Sequence, residues 1–316
     1  MRITNYQEMN KNISNVKNDF LFHCKYEKGL SKKTIKAYEV DINQFINFIK
    51  NKYSIQEFES ITKEMLKKYL QTMSGFKPKT IKRKIASMKA MFTYYEFEND
   101  TFINPIRKIK LRIKETKTLP TVMCINEVEL ILKYFYEKLD TDSIYNYKHL
   151  NLVRNLCIIE LLFATGIRVE ELCNLQCKDI DLYNGNIKVH GKGGKERIIQ
   201  ICSEEVITIL KDYNLIAKPK TFFFINRLGN CISTQSVRLI IKKITKELNL
   251  TKNITPHTFR HTFATLLLEE NVDIKYIQTL LGHSSIVTTQ IYTHINLNKQ
   301  KEILLNRHPR NKLFIK

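Results

Sequence analysis

Two hairpin signals follow one another between residues 180 and 201 of a chain that is otherwise patterned for helices. Asn184-Gly185 separates Ile180–Tyr183 from Asn186–His190, and this dipeptide readily takes the positive backbone angles of a tight two-residue turn. Gly191-Lys192-Gly193-Gly194-Lys195 is a longer turn leading into Glu196–Ile201. The pattern predicts one small antiparallel sheet inside a helical domain, so the fold class expected is mainly α with a mixed α/β second half.

The first hundred residues read as helices. Ser31 is an N-cap candidate before Ile35, Tyr38, Ile42, Phe45, Phe48 and Ile49, which recur at helical spacing. A second helix fits about Lys63 to Met73, with Thr62 as its cap. Pro78 opens a third, whose apolar stripe is Ile81, Ile85, Met88, Phe92 and Tyr95. Asn104-Pro105 closes this region, and residues 106–120 look like a basic linker. The division expected is a helical domain over 1–105, that linker, and a second domain over 121–316. In the second domain, helices are expected at about Asn126–Glu137, through 152–177 with a break at Thr165-Gly166, and at Ser203–Asn214, Ser233–Leu248 and His257–Glu270. Shorter ones are expected at Asp273–Leu281, Ser284–Tyr292 and Asn298–Asn306.

The formal net charge is +21, and residues 1–118 hold 25 Lys and Arg against 12 Asp and Glu. Such an excess calls for a polyanionic partner, with nucleic acid first. Residues 77–95 contain no acid, so a helix there presents Lys79, Lys82, Arg83, Lys84 and Lys89 without compensating charge. These, with Arg107 and Lys108 of the linker, are the candidate phosphate contacts. The seven cysteines lack CxxC spacing, which fits reduced thiols in a cytoplasm. The N-terminus shows no apolar core of a signal peptide, and the most apolar run, Leu156 to Ile167, is short and interrupted by Glu160. No membrane association is expected.

Near the C-terminus the chain reads Thr255-Pro256-His257-Thr258-Phe259-Arg260-His261, then Leu281-Gly282-His283, then Ile291-Tyr292-Thr293-His294. Thr255 caps a helix with Pro256 at its first position, which puts His257 and Arg260 on one face near an anion-favouring end. His257 and His261 share the i, i+4 spacing of a zinc pair, but the residues between them include Arg260 and no acid, which argues against a metal. Arg168, just after Thr165-Gly166-Ile167, can reach an anion with a planar fork or pair with Glu171. The Gly191–Lys195 turn lacks P-loop spacing and leads into a strand, so it is not a nucleotide cradle. Basic groups followed by a phenol suit a site that binds a phosphodiester and attacks it.

These stretches, in this order, resemble the tyrosine recombinases, and most of all their bacterial Xer subgroup. The resemblance rests on Ala164–Leu172, the Gly191–Arg197 turn, His257–Thr265, Leu280–His283, Thr288–His294 and His308-Pro309-Arg310. Gly29-Leu30-Ser31, Thr34, Tyr38, Asp41 and Phe45 match the family's N-terminal part. The polar stretch Lys138 to Leu150 departs from the pattern by its length.

The resemblance implies an N-terminal SAM-like core-binding domain and a catalytic domain with Arg168, Lys192, His257, Arg260, His283 and Tyr292 as its catalytic set. The family pattern favours Lys192 over Lys195 as the acid. No cofactor is implied. The implied partner is a double-stranded DNA recombination site, bound by four protomers on two paired sites, with a partner recombinase or accessory protein as a further expectation. The final helix and the tail after it become the candidate for docking on a neighbouring protomer. The implied setting is a bacterial cytoplasm, at the nucleoid. The rival classes are a type IB topoisomerase and a DNA-binding regulator with a vestigial site.

Overall fold

The computed structural model describes residues 12–109, 113, 120–141, 147–191, 196–282 and 303–313. The chain divides into two compact units, Met1–Thr118 and Leu119–Lys316.

The first unit is helical. Helix α1 (Ile13–Phe22) runs on through a wider turn at His23–Glu27. Helix α2 (Lys32–Tyr53) starts where the Ser31 Oγ accepts from the Thr34 amide at 3.2 Å. It stops at Ser54, whose φ of 55° lies in the left-handed region. Thr62 caps α3 (Lys63–Gln71), and Pro78 opens α4 (Pro78–Glu98), as their sequences predict. The apolar stripes of α2 and α4 meet in a core in which Phe45, Phe58, Phe92 and Tyr95 are fully buried. The Phe58 and Phe92 rings lie 4.6 Å apart.

A charge is also buried between α2 and α4. Asp41 accepts from Arg83, from Lys84 at 3.3 Å and from Ser87 at 3.1 Å, and Lys84 also donates to Gln44. Lys84 is only 4% exposed. Its assignment as a DNA contact is therefore corrected, because burying Asp41 requires a partnered cation and Lys84 fills that role.

The second unit is built around α6 (Tyr147–Thr165), whose Leu156, Leu161, Leu162 and Phe163 are all fully buried. A helix apolar on every face must be covered on every face, and α5 (Ile125–Thr141), α8 (Glu204–Ala217) and α10 (Pro256–Glu269) pack on it. The short α7 (Val169–Cys173) follows the break at Gly166, so the expected helix through residue 177 ends early. Helices α9 (Thr234–Glu247) and α11 (Ile274–Leu281) begin at the caps Ser233 and Asp273.

The sheet is antiparallel, in the order β1 (Ile180–Asp181), β2 (Asn186–His190), β3 (Glu196–Gln200). The first hairpin differs from its expectation. Asp181 pairs with Asn186, so four residues form the loop rather than Asn184-Gly185 alone. The Asp181 carboxylate explains this: it accepts from the amides of Tyr183 and Asn184 and from the Asn184 side chain, which winds the chain into a side-chain-closed turn. In β2, Ile187 and Val189 point inward while Lys188 and His190 face solvent.

Residues 303–313 return to this unit. A helix over 303–307 puts Leu304 against Phe263, Leu267 and Leu281, and His308, Arg310 and Leu313 are buried. The described part of the tail thus packs on its own chain; residues 298–302 of the expected final helix lie outside the described residues. The apolar surface of Leu304 and the charge of Glu160 are both satisfied at home. The helix expected at Ser284–Tyr292 lies outside the described residues. None of the described helices is long and apolar enough to cross a membrane.

Candidate active site

Helix α6 ends at Thr165, and Gly166 turns the chain with φ of +59°. A Cβ at Gly166 would lie 2.7 Å from the Phe263 ring and 2.8 Å from Leu281, so only glycine fits between α10 and α11. This close approach places Arg168 and Arg260 around one short stretch of backbone. Arg260, one turn into α10, donates from Nη1 to the Gly166 carbonyl at 2.7 Å and from Nη2 to the Leu281 carbonyl at 2.6 Å. Arg168, the N-cap of α7, donates from Nη2 to the next carbonyl, Gly282, at 2.9 Å. Two guanidinium groups therefore grip consecutive carbonyls at the end of α11.

Glu171 organises the other side. Its carboxylate accepts from the Arg168 amide at 3.1 Å and Arg168 Nη1 at 2.9 Å, and from both Nη atoms of Arg197 at 2.9 and 2.8 Å. Burial raises the carboxyl, but the Arg197 hydrogen bonds and charge, joined by Arg168, outweigh it and hold Glu171 below the usual carboxylate range. Arg260 is 6% exposed. Burial, then the positive charges of Arg168 and Arg197, push it down to about 10, against a smaller opposing pull from Glu171. It remains a cation at neutral pH, but one in a setting that an added anion would relieve.

His257 lies one turn before Arg260 on α10, with its ring reaching solvent. Partial desolvation, followed by electrostatic interactions with His261, Arg260, Arg238 and Arg168, lowers it below the ordinary histidine value. A neutral imidazole beside two guanidiniums can accept a proton or a hydrogen bond.

Three of the six residues expected to be catalytic, Arg168, His257 and Arg260, are thus gathered in one place. Lys192, His283 and Tyr292 lie outside the described residues, as does Lys195. On α4, Lys79, Lys82, Arg83 and Lys89 are exposed, and Arg83 reaches back to Asp41. Arg107 and Lys108 are exposed, with Arg107 paired to Glu96 at 2.9 Å. Sequence reasoning missed Arg197 as a site residue. It also left Glu171 as a mere alternative partner for Arg168. Their spacing of 26 residues offers no local signal, although Arg197 stands at the end of the turn motif. It further missed the exposed ridge of Arg238, Lys242 and Lys246 on α9, which i, i+4 spacing puts on one face.

Comparisons with known proteins agree over most of the chain. Residues 134–299 match the phage integrase family, and residues 18–99 match the phage integrase N-terminal SAM-like domain. A tyrosine recombinase of Agathobacter rectalis is 46% identical over 297 residues, covering 92% of this chain and 95% of its own. The tyrosine recombinase XerD of Listeria innocua is 35% identical over 302 residues, covering 92% and 98%. In fold, the chain resembles the XerH site-specific recombinase bound to its difH substrate. The TM-score is 0.69 at 21% identity, with 93% of this chain and 97% of that one covered.

These matches place the chain among enzymes that break and rejoin DNA. This chain belongs to the phage integrase family of tyrosine recombinases, and its activity is site-specific recombination of DNA.

Proposed function

We propose that Tyr292 is the nucleophile and that Arg168 and Arg260 bind the scissile phosphate. The observation that carries this reading is the buried Arg260 beside Arg168, both fastened to the carbonyls of Leu281 and Gly282 immediately before the segment that holds His283 and Tyr292. The Tyr292 Oη attacks phosphorus, the P–O5′ bond breaks, and a 3′-phosphotyrosine and a free 5′-hydroxyl result. Lys192 protonates the leaving 5′-oxygen, His257 takes the phenolic proton, and His283 hydrogen-bonds a nonbridging oxygen. The two arginines neutralise charge that builds up on the phosphate, so the step needs neither a metal ion nor a nucleotide. The phosphotyrosine preserves the bond energy, and attack by a 5′-hydroxyl from a second strand rejoins DNA.

The exposed cations of α4 (Lys79, Lys82, Arg83, Lys89), with Arg107 and Lys108, hold the duplex through its phosphates. Four protomers act on two paired sites and pass through a Holliday junction, with a partner recombinase or accessory protein as a further component. The protein works in the bacterial cytoplasm at the nucleoid, in an Xer-like role or in moving a mobile element. The likeness to XerD supports the former.

The test is a nicked suicide duplex carrying the recombination site. Wild type should give a covalent protein–DNA band, with or without a chelator, and Tyr292→Phe should give none. A band that persists in Tyr292→Phe overturns the nucleophile assignment.

A further inference from the structure

We infer that Arg197 is a positioning residue for strand cleavage: it occupies the Glu171 carboxylate so that Glu171 can orient Arg168 without cancelling its charge. This rests on the reading above, in which Arg168 binds the scissile phosphate.

A carboxylate 2.9 Å from a guanidinium is normally its counter-ion. If Glu171 belonged to Arg168 alone, the pair would be neutral and poor at holding a phosphate. Arg197 changes this. Both of its Nη atoms go to Glu171, one to each oxygen, whereas Arg168 reaches one oxygen with one Nη. Among the described residues the Arg197 Nε has no acceptor, so the fork shown is committed to Glu171. The trio Arg168, Glu171 and Arg197 keeps a net charge of +1.

Exposure shows which arginine keeps that charge available. The side chain of Arg168 is 34% exposed, that of Arg197 15% and that of Glu171 6%. Arg197 therefore stands behind the carboxylate and Arg168 in front of it. Its stem also packs on the Gly282 backbone, where a Cβ would lie 3.0 Å from the Arg197 Cδ, and Gly282 is the residue whose carbonyl Arg168 holds. Arg197 thereby backs both anchors of Arg168. It is the second residue of β3, paired with Val189 of β2, so the sheet supplies its position.

The experiment measures single-turnover adduct formation on the suicide duplex, with an ordinary scissile phosphate and with a methylphosphonate. The methylphosphonate carries no charge and so does not depend on a net positive partner. Arg197→Met should slow adduct formation on the phosphate by about 100-fold, the size of a lost charge-stabilising group. On the methylphosphonate the same variant should stay within about threefold of wild type, since little phosphate charge is left to neutralise. Adding Glu171→Gln, which removes the competing carboxylate, should recover about tenfold on the phosphate. Equal losses on the two substrates would mean that Arg197 serves structure only and would overturn the inference, as would an unimpaired Arg197→Met. Should Arg197→Met fail to fold, the comparison moves to the Glu171→Gln background. There Arg197→Met should alter the rate by less than about threefold, and a loss as large as about 100-fold overturns the proposal. Absence of any adduct in wild type would instead count against the nucleophile reading.

Discussion

His308 donates from Nε2 to the carbonyl of Ala164 at 2.9 Å, four residues before Arg168. Its Nδ1 accepts from the Arg310 amide at 2.9 Å, which fixes the neutral tautomer. Arg310 in turn forks onto Glu160 with two contacts of 3.1 Å, and Tyr136 donates to the same carboxylate at 2.9 Å. Upstream of residue 283 the chain is held by Arg260 and Arg168, and downstream by Leu304, His308 and Arg310. The described residues that precede 283 and follow 302 are thus both fastened to the unit that holds the two arginines.

The His308 contact makes tail docking dependent on pH. Burial lowers its pKa from 6.5 to about 4, with Arg310 adding to the shift and the Ala164 hydrogen bond opposing it. The unfolded chain takes up a proton below about 6.5 and the folded chain does not, so stability falls as pH drops from about 6.5 toward 4. The full effect is roughly 3 kcal/mol. Urea unfolding at pH 7.5 and pH 5 should show about 2 kcal/mol of this loss in wild type and a smaller pH slope in His308→Asn. Equal slopes would remove His308 as the source.

Glu160 interrupts the most apolar run in the sequence, yet it is fully buried because Arg310 neutralises it. Arg310→Met should cost about 3–5 kcal/mol by leaving that carboxylate unpaired in the core. Adding Glu160→Gln should recover much of the loss. Denaturation midpoints of the two variants decide the point, and a double variant no more stable than the single would argue against it.

Gly166 separates backbone geometry from charge. Gly166→Ala adds a methyl group 2.7 Å from Phe263 at a backbone angle that alanine disfavours, so a cost of about 1–3 kcal/mol is expected. The Gly166 carbonyl also fixes Arg260, so adduct formation should fall more than DNA affinity does. Gly75→Ala, where the added methyl meets nothing within 4 Å, is the control and should be nearly neutral in thermal melts.

The basic residues of α4 should split into two kinds. Lys84→Met takes a cation from the buried Asp41 and should cost about 1–3 kcal/mol of stability. Lys79→Ala, at an exposed position, should leave stability unchanged and weaken DNA binding for all sequences. The slope of log affinity against log salt should fall by about one phosphate contact. Thermal melts and binding across a salt series distinguish the two outcomes.

Ser31, Thr62 and Thr255 cap the helices expected to start from them, because a cap involves residues only two or three apart, and Ser203, Ser233 and Asp273, expected as helix starts, prove to be caps as well. The apolar stripe of α4 and the alternation in β2 were legible for the same reason: periodicity is local. So was the order of the motifs that mark the family. The fork of Arg197 on Glu171 spans 26 residues and that of Arg310 on Glu160 spans 150, and no spacing rule connects such partners. Lys82 and Lys84 are chemically alike and two positions apart. Only the packing of α4 on α2 exposes one and buries the other against Asp41. By itself, the sequence determined most of the described helices, the presence of the small sheet and the order of the motifs that mark the family. Tertiary structure decided which cations are neutralised, because burial and the position of a counter-charge depend on chain segments far apart in sequence.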